Sequence, residues 1–285
     1  MPVRVVESKQ NARLKELRKA LSAQGRGSGA LAGIEGPNLI EEALRAGLRV
    51  KTIFVAQGAE RLLDELQVKR DVEVLQLPKK LLDQALATET PQSIAALIEP
   101  PSWSWSDVLN QNQKKTLVIV LAGIQDPGNL GTILRSAEAF GATGVVSLPG
   151  TVSAWNAKAV RASAGSVFRV PVLAAEIDEC IPRLRSAGVA ILATLARAAQ
   201  QAHSADLAGP VALIIGNEGS GIPAEIARQV DGEITIPCPG PVESLNAAVA
   251  ASVLLYEASQ QRLSKPSGNP QHSSKKSIRG TGLAQ

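Results

Sequence analysis

Between residues 116 and 262 the chain repeats one pattern: a short run of aliphatic and β-branched residues, then a longer stretch with helical spacing. The runs are Thr116–Ala122, Gly144–Leu148, Val189–Leu195, Val211–Ile215 and Glu233–Ile236. They show little polar alternation, so each strand has to be covered on both faces, and helices between them imply a parallel sheet. Helices are predicted over Leu130–Phe140, Ala154–Ala162, Ile177–Ala187, Pro223–Val230 and Leu245–Arg262. Three of the runs lead into or contain a break of Gly, Pro, Asn, Glu and Ser: DPGNLGTILR at 126–135, LIIGNEGSG at 213–221 and ITIPCPGPVESLNAAVA at 234–250. A buried strand opening into a glycine-rich polar loop is where α/β sheets build ligand sites.

The first hundred residues also alternate, in shorter elements. Asn11–Leu21 predicts an amphipathic helix with Leu14, Leu17 and Leu21 on one side and Lys15, Arg18 and Lys19 on another. Strands near Leu31–Ile34 and Val50–Val55 alternate with helices over Pro37–Ala46 and Glu60–Leu66. Shorter segments follow at Val72–Leu75, Lys79–Ala87 and Ser93–Ile98. The expected organisation is a small α/β domain over 1–98, a linker at 99–115, a second α/β domain over 116–264 and a disordered basic tail at 265–285. The linker reads EPPSWSWSDVLNQNQKK, and Trp103 and Trp105 are expected to tack it onto a domain.

Charge is unevenly spread. Residues 1–26 carry seven Lys/Arg against two acids, and residues 265–285 carry four basic residues and no acid. Residues 101–264 hold eleven basic and thirteen acidic residues. Basic ends flanking a near-neutral centre suit a polyanion-docking arm attached to a site of other purpose; a solvated helix face and a loose tail would look the same. Arg13, Lys15, Arg18 and Lys19 are the candidate phosphate contacts, which position a protein without reading sequence. Aromatics are only 2% of the chain, so base stacking is not the expected main mode of nucleic-acid binding.

Several chemistries are disfavoured. The only histidines are His203 and His272, and no serine elbow accompanies them. GNEGSG at 216–221 lacks the lysine of a phosphate-binding loop, and AGIQDPGNLG after the first long strand is not a dinucleotide fingerprint. Cys180 and Cys238 stand apart from histidines and from each other, so neither a metal site nor a disulfide framework is expected. No apolar signal core or membrane-length run occurs, and the expectation is a cytoplasmic protein without a membrane partner. Backbone-rich loops carrying one Glu, one Arg and several amides suit an adenosine-containing ligand read by main-chain groups.

The ordered set NLGTILR, GNEGSG and IPCPGPVESLNAAVA resembles the three motifs of the SpoU/TrmH family of RNA ribose 2′-O-methyltransferases, of the SPOUT class. EGPNLIEEALRAG at 35–47, with SKQNARLKELRKAL at 8–21, is similar to the ribosomal-protein-like substrate-binding domain of members acting mostly on large-subunit rRNA. KAVRASAGSVFRVPV at 158–172 resembles a further shared stretch. The resemblance implies an N-terminal α/β RNA-binding domain followed by a parallel-sheet SPOUT domain with a deep trefoil knot. It also implies S-adenosylmethionine as cofactor and a homodimer with the site at the subunit interface.

Carried over by motif position, the resemblance makes Asn129, Arg135, Glu218, Ser244 and Asn246 the candidate catalytic residues, with Asn129 and Glu218 orienting Arg135 and the ribose. The implied cofactor contacts are Gly216, Ile236 and Leu245 through backbone, beside Thr194, Leu195, Asn217, Gly219 and Asn246. Singly, each has a plainer reading. Arg135 is a surface helix residue, Glu218 a helix cap, Ser244 with Asn246 an N-cap pair, and the glycines a turn. The chain departs from the family pattern at Cys238, where Met is common, and at Ala247 and Ala248, where Val-Ser is frequent. Competing expectations are the same chemistry on tRNA and a non-catalytic RNA-binding protein on the same fold.

Overall fold

The computed structural model describes residues 3–22, 30–68, 71–86, 88–109 and 115–264. The expected basic tail at 265–285 and part of the expected linker lie outside the described residues. The N-terminal unit comprises β1 (Val3–Val5), α1 (Ala12–Leu21), β2 (Ala32–Glu35), α2 (Pro37–Arg45), β3 (Val50–Ala56), α3 (Arg61–Glu65), β4 (Glu73–Leu77), α4 (Lys79–Leu86) and β5 (Ile94–Ile98). Its sheet order is β1-β4-β3-β5-β2, with β5 antiparallel to both neighbours and the other pairs parallel. The short edge strand β1 was not apparent from sequence. Asn11 caps α1 by accepting from the amides of Arg13 and Leu14 at 3.0 and 3.2 Å. The helix then buries Leu14, Leu17 and Ala20.

Residues 105–109, expected to be linker, form the helix α5 (Trp105–Leu109) on the second sheet. Val108 is fully buried there, and Trp105 Nε1 donates to Glu179 at 2.7 Å. The C-terminal unit continues through β6 (Leu117–Ala122), α6 (Pro127–Ala139), β7 (Gly144–Ser147), α7 (Ala157–Ala162), β8 (Val172–Ala174) and α8 (Ile177–Ser186). It ends with β9 (Ala190–Thr194), β10 (Gln200–Gln201), β11 (Val211–Gly216), α9 (Ala224–Ala227), β12 (Gly232–Thr235) and α10 (Ala247–Ser264). The sheet runs β10-β12-β9-β11-β6-β7-β8 and every pair is parallel. Along β6, Leu117, Ile119 and Leu121 enter one apolar cluster while Val118, Val120 and Ala122 enter another. That two-sided burial is the cause of the unalternating sequence runs.

Two helices differ from the sequence expectation in ways that shape the site. α6 starts three residues early because Asp126 caps it, accepting from Asn129 N at 2.9 Å, and Pro127 fills the first turn. DPGN therefore holds the helix start instead of forming a free loop. α9 is shorter than Pro223–Val230, because the chain after it turns to feed β12. Arg185 donates to the Gln229 carbonyl at 2.7 Å, and Asp231 accepts from Ile191 N at 2.8 Å, holding that turn. Gly131 on α6 lies against α7 so closely that a Cβ would sit 2.5 Å from both Ala159 O and Ala162 Cβ.

α10 returns across the sheet to pack on α6 and β11. Near its end, Arg262 is held by four main-chain carbonyls: Leu207, Lys115, Thr116 and Gly209, at 2.6–3.0 Å. Burial pushes its pKa below the usual guanidinium value.

The two units meet at Arg169. Its guanidinium is bound by both Glu138 oxygens from α6 and by Glu42 from α2, the latter at 2.6 Å. Hydrogen bonding to Glu138 is the main reason its pKa lies above the usual value, with Glu42 adding to it. Gly165 turns beneath this junction at φ +89, and a Cβ there would stand 2.9 Å from Glu42 Cβ. The Arg169 side chain is 35% exposed, so solvent screens part of this attraction. Arg169→Ala is expected to cost about 1 kcal/mol. The larger effect expected is a broader spread of inter-unit geometries, which small-angle scattering would register as a raised radius of gyration.

Candidate active site

The second and third sequence motifs meet at the carboxyl ends of β11 and β12, beside the end of β9, and Asn129 of the first reaches them by hydrogen bonds. A cavity of about 360 Å³ opens there, within the range of small-ligand sites. Its walls are the end of β9 (Thr194, Leu195), the 216–221 loop, Ile234 and Ile236 of the β12 exit, the 243–245 segment, and Ala247, Ala250 and Leu254 of α10. Among the described residues no Lys or Arg lines it, whereas Glu218 and Glu243 do. Such a pocket suits a ligand with a cationic centre and an apolar-faced ring.

The loop is built around Gly216 and Asn217. A Cβ on Gly216 would lie 2.5 Å from the carbonyl carbon of Gly221, so the chain can double back only over glycine. Asn217 and Gly221 exchange backbone bonds at 3.0 Å in each direction. The Asn217 side chain accepts from Gly219 N, Ser220 N and the Ser220 hydroxyl, and donates to Gly123 O at 2.8 Å. Asn217 therefore shapes the loop and ties it to the end of β6.

At the mouth, three polar side chains from the three motifs form a chain. Asn246 donates through Nδ2 to Asn129 Oδ1 at 3.1 Å, and Asn129 donates to Glu218 at 2.7 Å. Asn246 also caps α10, accepting from Ala248 N at 2.9 Å, so its plain capping role and its place at the mouth coexist. Glu218 caps no helix: α9 begins six residues later.

Thr194, Leu195, Gly216, Asn217, Glu218, Gly219, Ile236, Ser244 and Leu245 all line the cavity as placed by motif. Asn129 and Asn246 stand at its mouth through the chain to Glu218. Arg135 does not join them. It is exposed on α6 and makes no hydrogen bond or ion pair among the described residues, so the expected orientation of Arg135 by Asn129 and Glu218 is not present in the single chain. Arg13 is likewise committed elsewhere: it is paired with Glu16 at 2.9 Å and Glu73 at 3.0 Å. Arg18 donates to Lys9 O, while Lys15 and Lys19 are exposed. None of these four lines the cavity.

Sequence reasoning missed Glu243, Ala250 and Leu254 as wall residues, whereas Cys238 and Ala247, the departures from the family pattern, were expected beside the site and line it. Ala247, Ala250 and Leu254 belong to one face of α10, a helix whose apolar residues read from sequence mainly as core. Cys238 is partly exposed at the cavity, whereas Cys180 is fully buried and its thiol is pushed up to about 12, chiefly by desolvation. In the native protein a thiol alkylating reagent is therefore expected to label Cys238 alone. S-adenosylmethionine should slow that labelling several-fold, as mass spectrometry of the tryptic peptides would show.

Among the described residues no group of three His, Cys, Asp or Glu side chains is placed to hold a metal, and no helix is long and apolar enough to cross a membrane.

Comparison with known proteins agrees with this geometry. Residues 116–256 match the SpoU rRNA Methylase family, and residues 34–104 match the RNA 2′-O ribose methyltransferase substrate-binding domain. The chain is 34% identical over 255 residues to the 23S rRNA (guanosine(2553)-2′-O)-methyltransferase RlmP of Bacillus subtilis (strain 168), covering 88% of this chain and 97% of that one. A Sinorhizobium meliloti rRNA methyltransferase solved with AdoMet bound superposes with a TM-score of 0.78 at 31% identity, over 90% of this chain and 98% of that one. AviRb, a SpoU methyltransferase from Streptomyces viridochromogenes in complex with AdoMet, gives 0.80 at 28% identity, over 90% and 99%. The all-parallel second sheet is typical of SPOUT methyltransferases and consistent, by homology, with the trefoil knot. A cavity walled by the second and third motifs, with Asn129 of the first at its mouth, thus lies in a chain that belongs to the SpoU rRNA methylase family, as an S-adenosylmethionine-dependent RNA 2′-O-ribose methyltransferase acting on rRNA or tRNA.

Proposed function

We propose that this chain methylates one ribose 2′-hydroxyl of large-subunit (23S) rRNA, and does so as a homodimer. The observation that carries the reading is the Asn246–Asn129–Glu218 chain at the mouth of a cavity lined, among the described residues, by no Lys or Arg. Support for the RNA class comes from the matched substrate-binding unit and from the 23S enzyme of Bacillus subtilis (strain 168) to which the chain is similar.

S-adenosylmethionine supplies an electrophilic methyl group on a sulfonium. Gly216, Ile236 and Leu245 offer main-chain groups to the nucleoside end, with Thr194 and Leu195 beside them. Glu218 and Glu243, which line the cavity, would hold the cationic end, and Ser244 would offer it a hydroxyl. The acceptor hydroxyl is a poor nucleophile, so holding it in line is the main lever. Asn129, Glu218 and Asn246 are the groups placed to hold the ribose. As the O–CH3 bond formed, the S–CH3 bond of the sulfonium would break and release S-adenosylhomocysteine, the hydroxyl proton would pass to a neighbouring RNA phosphate or water, and a guanidinium would stabilise the developing negative charge on the oxygen. We assign that task to Arg135.

Arg135 lies outside the cavity of its own chain, which is the argument for two copies. α10 exposes Val249, Val253 and Tyr256 at helical spacing, at 48%, 40% and 51%. Tyr256 meets Phe140 of α6 edge-on with 5.7 Å between ring centres, and Ser252 bonds Ser136 at 2.7 Å. Arg135 therefore neighbours an apolar stripe that a second copy would cover, and its guanidinium would then reach a site that neither chain completes alone.

The test is transfer of labelled methyl from S-adenosylmethionine to unmodified 23S rRNA and, separately, to tRNA, with 2′-O-methylation identified in the nucleosides. Label in 23S rRNA is the expected result. Label in tRNA alone would keep the chemistry and overturn the substrate. No label in either, with RNA still bound, would leave a binding protein.

A further inference from the structure

A second cleft, of about 330 Å³, lies across the 217–221 loop from the cofactor cavity. Ala122, Leu148 and Ile226 are among its apolar lining, each at most 5% exposed. Gln125, Glu176, Ser220 and Glu225 supply the polar groups. The two cavities share Asn217, Ser220 and Gly221, so one loop is the wall between them. Asn217 stiffens that wall through its bonds to Gly219, Ser220 and Gly123.

The place of the cleft is informative. It opens at the carboxyl ends of β6, β7 and β11. From β6 the chain builds outward through β7 and β8 on one side, and later places β11, β9 and β12 on the other. The reversal at β6 creates the crevice in which open α/β sheets bind ligands. In this chain the cofactor cavity sits further along, over β9, β11 and β12, leaving the crevice for something else.

Its chemistry narrows the occupant. Among the described residues no Lys or Arg lines it, so it does not suit an RNA phosphate. Among the described residues, Glu176 and Glu225 have no side-chain hydrogen bond or ion pair, and an ionised carboxylate only accepts. A flat ring resting on an apolar floor with N–H groups along one edge answers both features. Guanine offers two such donors side by side, N1–H and N2–H, which match the two oxygens of a carboxylate; uracil flanks its single N–H with two acceptors. Proximity to the reaction follows from the chain itself. Gln125 directly precedes Asp126, the cap of α6, and Asn129 in that first turn bonds Glu218 on the shared loop.

Building on the methyltransferase reading above, we propose that this cleft receives the base of the nucleotide being methylated, with Glu225 and Glu176 selecting guanine. The ribose then rests at Asn129 and Glu218, between the two cavities.

The experiment has two steps. Wild-type protein is used to map the methylated nucleotide in an unmodified 23S transcript. Wild type, Glu225→Gln and Glu176→Gln are then compared on transcripts carrying guanosine or inosine at that position, with S-adenosylmethionine affinity measured by calorimetry. A mapped guanosine is expected. Inosine, which lacks the N2 amino group, should lower wild-type kcat/KM about 10- to 100-fold. At least one Glu→Gln variant should lose a comparable factor on guanosine, lose little more on inosine, and bind S-adenosylmethionine as wild type does. A mapped uridine, cytidine or adenosine overturns the proposal. So does an inosine transcript methylated at the wild-type rate, or a pair of variants that match wild type on guanosine. Absence of any transfer by wild type to 23S rRNA or tRNA refutes the underlying reading and the proposal with it, a result distinct from the others.

Discussion

Replacing Arg135 by alanine is expected to lower methyl transfer by about 10³-fold while leaving S-adenosylmethionine affinity, RNA binding and thermal stability unchanged. The size follows from what removing one donor costs at a developing oxyanion. The selectivity follows from the structure. Arg135 is exposed, bonds nothing among the described residues and does not line the cofactor cavity, so its loss removes no packing and no cofactor contact. The experiment is single-turnover transfer from labelled S-adenosylmethionine with saturating RNA, beside calorimetry of cofactor binding. Transfer at the wild-type rate would refute the assigned role. Mixing two inactive variants, Arg135→Ala and Glu218→Ala, tests the shared site. In mixed dimers one composite site keeps both residues, so activity is expected to return toward a quarter of the wild-type level, as random exchange of subunits dictates.

Gly216→Ala is expected to abolish measurable S-adenosylmethionine binding, an affinity loss of 100-fold or more. The added carbon would lie 2.5 Å from Gly221 C, 2.7 Å from Gly221 O and 2.7 Å from Ile222 N. All three are main-chain atoms, so no side-chain rotation relieves the clash. The 216–221 turn must open, and with it go the paired Asn217–Gly221 bonds at 3.0 Å and the wall of the cavity. The sheet should survive, because Gly216 is the last residue of β11 and the clash points into the loop. Titration calorimetry with far-ultraviolet circular dichroism as the folding control would decide it; wild-type affinity would show that the loop has another way to close.

Much of this was legible in the residues. The C-terminal strands appeared as apolar runs because burial on both faces leaves no room for alternation, and seven of the nine expected cavity-lining positions fall in the second and third loop motifs, with Thr194 and Leu195 added by the family resemblance. What escaped depends on partners distant in sequence. The edge strands β8 and β10 are three and two residues long, too short for a periodic signal. α5 folds within a polar stretch because Val108 finds a pocket over Gly144, where a Cβ would stand 2.9 Å from its methyls. The start of α6 was obscured by DPGN, which has turn composition yet serves as a cap. Arg13, a candidate phosphate contact, pairs with Glu73, sixty residues away in sequence, a partner that its own helix does not reveal. Arg135 stands exposed on α6, apart from Asn129 and Glu218, and a site shared between two copies was an expectation of the family resemblance alone.

Arg262 has a consequence for the order of events in folding. Its four carbonyl partners come from residues 115–116, before the sheet begins, and from residues 207–209, ahead of β11. They converge only after both segments are in place, so the last helix locks late. That same helix supplies Ala247, Ala250 and Leu254 to the cofactor cavity. A chain in which α10 is not seated lacks that wall of the cavity, so S-adenosylmethionine is expected to bind finished molecules far more tightly. Cofactor occupancy is thereby a readout of completed maturation, and by mass action it withdraws finished molecules from the pool exposed to proteolysis.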